Sequence, residues 1–202
     1  MRTTICPAAA AAVLALAACA SPGGATESAL RPAMERFLAE RGDLCLGKFD
    51  WPIEVSERDA RIGTRDAIQM PVLEKVGIVS SSPEAGKTRY ELTETGRKYY
   101  IGRETAQVSP DGKKTVHHGD FCVGKLSLDT IVGWDEPRTV GDQQETTVTY
   151  TYHIAAAPWT FNPDVQKVFP MVERIVKGQG TMELKQSLKL TRDGWVATSP
   201  WE

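Results

Sequence analysis

Apolar and polar positions along the chain fall into three patterns. The first is an unbroken apolar run, Ala8-Ala9-Ala10-Ala11-Ala12-Val13-Leu14-Ala15, preceded by Arg2 and too short to cross a bilayer as a stable helix. The second is helical spacing. Leu30, Met34, Phe37 and Leu38 line one face between Ser28 and Arg41, with Pro32 near the start and Gly42 at the end. Thr64 caps a second predicted helix running toward Lys75, with Val72, Leu73 and Val76 on its apolar side. Pro71 is expected to break or restart that helix. A third begins with Asn162 and Pro163, carries Val165, Val168, Phe169, Val172, Ile175 and Val176, and should kink or divide at Pro170.

The third pattern is alternation. Phe49, Trp51, Ile53 and Val55 predict a short strand, placed at an edge by Pro52. Leu126, Leu128, Thr130, Val132 and Trp134 predict another with one apolar face. Val148, Tyr150, Tyr152 and Ile154 alternate with threonines and His153, which puts His153 on a polar face. Met182, Leu184, Leu188 and Leu190 lead to the Arg192-Asp193-Gly194 turn and a final hairpin strand through Trp195. Ser109-Pro110-Asp111-Gly112 predicts an earlier turn. Strands flanking a covering helix make the chain α+β. The expected organisation is a leader over residues 1–18, a tether over 19–27, a mixed half over 28–105, and an antiparallel sheet plus helix over 106–202.

The segment Met70-Pro71-Val72-Leu73-Glu74-Lys75-Val76-Gly77-Ile78-Val79, a Ser-Pro-Gly loop, and Thr88-Arg89-Tyr90-Glu91-Leu92-Thr93-Glu94-Thr95-Gly96-Arg97 together resemble the winged-helix pattern over residues 66–100. The resemblance implies a helix ending at glycine, a strand, a wing, and a returning strand that starts a helix. It speaks to fold, since function lives in sites. Nucleic-acid binding does not follow. Arg61, Arg65, Lys75, Lys87 and Arg89 are diluted by Asp59, Asp66, Glu74, Glu84 and Glu91.

The leader changes the picture most. Leu16-Ala17-Ala18-Cys19 resembles the lipobox of bacterial lipoproteins. That resemblance implies cleavage before Cys19, lipidation of its thiol, and a membrane partner reached through the lipid. Ala20 rather than aspartate after the cysteine implies the outer membrane, facing the periplasm, over the inner one. Removing the leader takes one of 24 basic residues and none of 26 acidic ones, so the mature charge is about -3 and draws the chain to neither nucleic acid nor anionic lipid. Cys6 leaves with the leader and Cys19 is spent on lipid. Cys45 and Cys122 then form the expected disulfide in an oxidising compartment. Their flanks echo one another, Leu44-Cys45-Leu46-Gly47-Lys48-Phe49 against Phe121-Cys122-Val123-Gly124-Lys125-Leu126, a hint of two related halves.

Candidate chemistry is sparse. No nucleophile elbow, phosphate-cradling loop or zinc-protease helix motif is present, and no motif implies a cofactor. His117, His118 and Asp120 are the strongest candidates for acid-base work or, with Cys122, for a metal, although their spacing fits a polar turn better. Trp134, Trp159 and Trp201 fall at predicted strand ends or loops, so Trp134 and Trp159 are candidate partner contacts. The leading expectation is a non-enzymatic envelope lipoprotein that binds a protein or peptidoglycan partner. An immunity or inhibitor lipoprotein against a toxic hydrolase is a sharper version, and a hydrolase using His117, His118 and Asp120 is the competing one.

Overall fold

The computed structural model describes residues 24–198. The leader with Cys6, the lipidation candidate Cys19 and Trp201 lie outside the described residues. In chain order the elements are α1 (Glu27–Arg41), β1 (Asp43–Cys45), β2 (Ile53–Ser56), α2 (Glu57–Ile62), α3 (Arg65–Lys75), β3 (Val79–Glu84), β4 (Lys87–Leu92), α4 (Glu94–Arg97), β5 (Tyr100–Val108), β6 (Lys114–Trp134), β7 (Arg138–Val140) and β8 (Gln143–Ala156). A 3-10 turn (Pro158–Phe161), α5 (Pro163–Val168), α6 (Pro170–Lys177), β9 (Leu184–Thr191) and β10 (Gly194–Ala197) follow. The protein is a mixed α+β structure with antiparallel sheets.

The helix starts obey local chemistry. Thr26, Ser56, Thr64, Thr93 and Asn162 each accept a backbone N–H of the first helical turn through a side-chain oxygen. Pro170 divides the late helical segment into α5 and α6. Pro71 does not divide α3, which runs through it with that residue on the exposed side.

β6 is the spine of the larger sheet. Its first part pairs with β5, residues 122–125 pair with β1, and residues 124–134 pair with β8; the main path runs β1-β6-β8-β9-β10, with β7 added to β8. β2, β4 and β3 make a separate three-stranded sheet in that order. β2 is therefore an edge strand, but it starts only after Pro52, so Phe49 and Trp51 belong to a loop. The expected alternation through Trp134 also fails beyond Leu128. Irregularities in the β6–β8 register around Ile131 insert extra residues, bury Ile131, and leave Val132 and Trp134 on the solvent side.

Two cores result. One joins α3 and the small sheet to Phe121, Val123, α5 and α6; the other seats Leu30, Met34 and Leu38 of α1 on Val148, Tyr150, Tyr152 and Leu188 of the large sheet. Residues 105 and 106, at the division expected from the sequence, both lie in β5, and each core draws side chains from either side of that position. Cys45 and Cys122 are directly opposite in the β1–β6 register and are joined as a disulfide. Of the two echoing segments, Leu44, Cys45 and Leu46 meet Gly124, Cys122 and Phe121 across the bridge.

Candidate functional site

A heavily braced irregular segment is the loop of residues 46–52 between β1 and β2. It leaves β1 with the Leu46 N–H donating to the Phe121 carbonyl at 2.9 Å. Gly47 then turns with φ of 66°, a left-handed conformation that suits glycine. The buried Asp120 carboxylate gathers the next amides, accepting from Lys48 N–H at 3.0 Å and from Phe121 N–H at 2.7 Å, with Gly47 N–H also contributing. Burial pushes the Asp120 carboxyl above its ordinary range, and these donors, followed by the Arg103 guanidinium, pull partly against that. Asp120 is a structural acceptor that ties β6 to the loop.

Side chains complete the bracing. Only 4% of the Lys48 side chain is exposed, and its ammonium pairs with Asp66 in the first turn of α3. A buried lysine is costly without such a partner. The Phe49 ring stacks on His117 with centroids 4.0 Å apart, and the Phe49 carbonyl accepts the Tyr100 hydroxyl. Burial raises the Tyr100 phenol, with the Asp50 and Asp120 carboxylates adding to the shift. Tyr100 can lie there because Gly119 beneath it has no side chain: a Cβ at that position would come within 2.4 Å of the tyrosine ring. Trp51 meets Phe121 at 5.9 Å, and the Trp51–Pro52 peptide bond is cis.

Held in this way, the loop lines two clefts. One, of about 360 Å³, is lined by Trp51, Pro52, Tyr100, Leu92, Glu91 and Arg97. The other, of about 410 Å³, includes Lys48, Phe49, Asp50, Arg65 and Asp66 among its walls. Each offers aromatic surface beside charges of both signs, suited to orienting a polar ligand or a partner's side chains against a flat apolar wall.

The sequence candidates are distributed differently from expectation. His117 and His118 are not in a turn; both lie inside β6, because the preceding turn closes at Lys113 and strand pairing resumes at Lys114. Strand alternation sends His117 and Asp120 to opposite sides of β6. His117 Nδ1 lies 3.4 Å from the Asp50 carboxylate, which is 87% exposed, while His118 lies 3.5 Å from Glu104 and both of those side chains are exposed. His117 and Asp120 therefore face away from one another, whereas His118 shares the Asp120 side of β6. Among the described residues, the group spaced to hold a metal ion is Cys45, Asp120 and Cys122, whose two sulfurs are bonded to each other. His153 sits on the polar face as expected, 3.0 Å from Asp129. Trp159 is partly buried and packs its ring against Tyr99 and Phe121 at the margin of the first core, with its indole N–H buried. Trp134 remains 38% exposed at the end of β6.

The histidines now carry distinct expectations. His117→Ala should lower unfolding free energy by about 1 to 2 kcal/mol, since it removes a stacked, mostly covered ring, whereas His118→Ala should change it by less than about 0.5 kcal/mol. Urea denaturation of the two single variants measures the difference. Equal, negligible effects would mean that His117 does not brace the loop.

The cationic groups of β4 are neutralised locally. Lys87 Nζ lies 2.7 Å from Glu54 and 3.3 Å from Glu84, and Arg89 Nε lies 3.0 Å from Glu91. The loop and its Asp120 anchor were not legible as a site. Asp120 and Lys48 are 72 positions apart, and the only local signal was the Gly-Lys echo flanking the cysteines. No family model matches this chain, and neither the curated proteins nor the solved structures contain a significant match to it.

Proposed function

We propose that this chain is a lipid-anchored envelope protein, outer-membrane held and periplasm-facing, that acts by binding a protein or peptidoglycan partner at the clefts beside residues 46–52. The observation that carries the binding half is the bracing of that loop by Asp120, His117, Tyr100 and Lys48, because a surface fixed before contact loses less conformational freedom on association. The anchoring half rests on Leu16-Ala17-Ala18-Cys19. A winged-helix scaffold for residues 66–100 is supported by the run α3, β3, β4 and α4 with a left-handed Gly77 after the helix and Gly86 at the strand turn. The local pairing of Lys87 and Arg89 with glutamates supports a role other than phosphate binding.

Cys19→Ser should move the protein from the membrane fraction to the soluble periplasmic fraction, with the mature wild-type N-terminus carrying diacylglycerol by mass spectrometry. A Cys19→Ser protein that still sediments with membranes, alongside an unlipidated wild type, would contradict the anchor.

A further inference from the structure

We propose that the free edge of β5 receives an extended, acidic peptide segment of a partner protein as an added strand. β5 is nine residues long and pairs only with β6, so among the described residues no strand covers its outer edge. Its polarity follows from the hairpin. The Ser109 N–H donates to the Lys113 carbonyl at 2.9 Å, and counting back along the ladder from that bonded pair turns the N–H and C=O groups of Ala106 and Val108 outward. A cavity of about 840 Å³ runs along this edge, lined by consecutive residues 103–109 together with Arg41 and Lys114. Natural sheets usually blunt such an edge with lysine, proline or very short length, and β5 contains neither residue. The strand does bulge between Gly102 and Thr105, which leaves the outer part, 105–108, regularly paired and available.

Charge selects the occupant. Arg103 is engaged by Asp43 at 3.4 Å and Glu104 faces His118, whereas Arg41 and Lys114 have no ion-pair partner among the described residues. Glu104, 79% exposed and beside only His118, keeps one carboxylate on this groove against the cations of Arg41 and Lys114, so the unpaired charge is cationic on balance and an incoming strand bearing carboxylates complements it. Val108, 67% exposed, and Val116, 48% exposed, lie on one face of the arm and give that strand apolar side chains to cover. This surface shares no residue with the clefts beside the 46–52 loop, so it stands or falls independently of them.

The test uses the mature protein carrying Cys19→Ser and two fluorescent seven-residue peptides, one alternating valine with glutamate and one alternating valine with lysine. Fluorescence anisotropy should show saturable binding of the glutamate peptide and at least about tenfold weaker binding of the lysine peptide. Ala106→Pro removes an outward N–H while sparing the ladder to β6, and should weaken the glutamate peptide by about tenfold with an unchanged thermal midpoint. The pair Arg41→Glu and Lys114→Glu, which leaves the backbone alone, should reverse the preference between the peptides. Absence of saturable binding, equal affinity for both peptides, or indifference to both sets of substitutions overturns the proposal. Self-association of the wild type that Ala106→Pro abolishes would assign the edge to a second copy of this chain and would likewise overturn it.

Discussion

Cys45→Ala paired with Cys122→Ala is expected to lower the unfolding free energy by about 4 to 5 kcal/mol in the chain-entropy account of a crosslink closing a loop this long, the two cysteines being 77 positions apart. The native state should change little, because β1 stays beside β6 through its ladder and through the Leu46 and Leu126 amide bonds to Phe121 and Gly42. The loss acts on the unfolded chain, which regains the freedom the crosslink removes. Domains of this kind are stable by about 5 to 15 kcal/mol in total, so the double variant should be folded but markedly sensitive to urea. Equilibrium urea curves of the variant and wild type, both with Cys19→Ser, measure it. A thiol count on the denatured, unreduced wild type should give none; two reactive thiols would contradict the bridge.

Phe121→Ala should cost about 3 to 5 kcal/mol, as expected for truncating a fully enclosed aromatic ring. Phe121 has no exposed surface and sits among Trp51, Tyr99 and Trp159 with centroid separations of 5.9, 6.2 and 6.0 Å. It thus supports the core from β6 and, through Trp51, the wall of one cleft. Near-ultraviolet circular dichroism should lose the tryptophan bands together with stability. Phe121→Leu, which keeps most of the volume, should cost less than about half as much. A Phe121→Ala protein with wild-type stability would mean the aromatic cluster does not hold the loop.

The helices were readable from sequence because their causes are local. Thr64 and Asn162 cap the helices they were expected to cap, and Pro170 divides α5 from α6. The strands were readable where one face is buried, as along Val148, Tyr150 and Tyr152. They were unreadable where burial does not alternate. Lys114 to His118 lie in an arm paired only with β5, so nothing in their side-chain pattern marks a strand. The irregular register near Ile131 reverses the sides of Val132 and Trp134, and an inserted residue leaves no compositional trace. The candidate site was hidden for a further reason. Its parts come from the β1–β2 loop, the start of α3, the end of α4 and the β5–β6 pair, and only the fold brings them together.

The most direct measurement is photocrosslinking in intact cells with a benzophenone amino acid placed singly at Arg65, at Arg97 and, as a distant exposed control, at Asp142. Arg65 lines one cleft, Arg97 lines the other, and Asp142 lies in the turn between β7 and β8. Binding at these clefts predicts a discrete adduct, protein or glycan, from position 65 or 97 and none from 142. No adduct from either cleft position, or the same adducts from position 142, would contradict it.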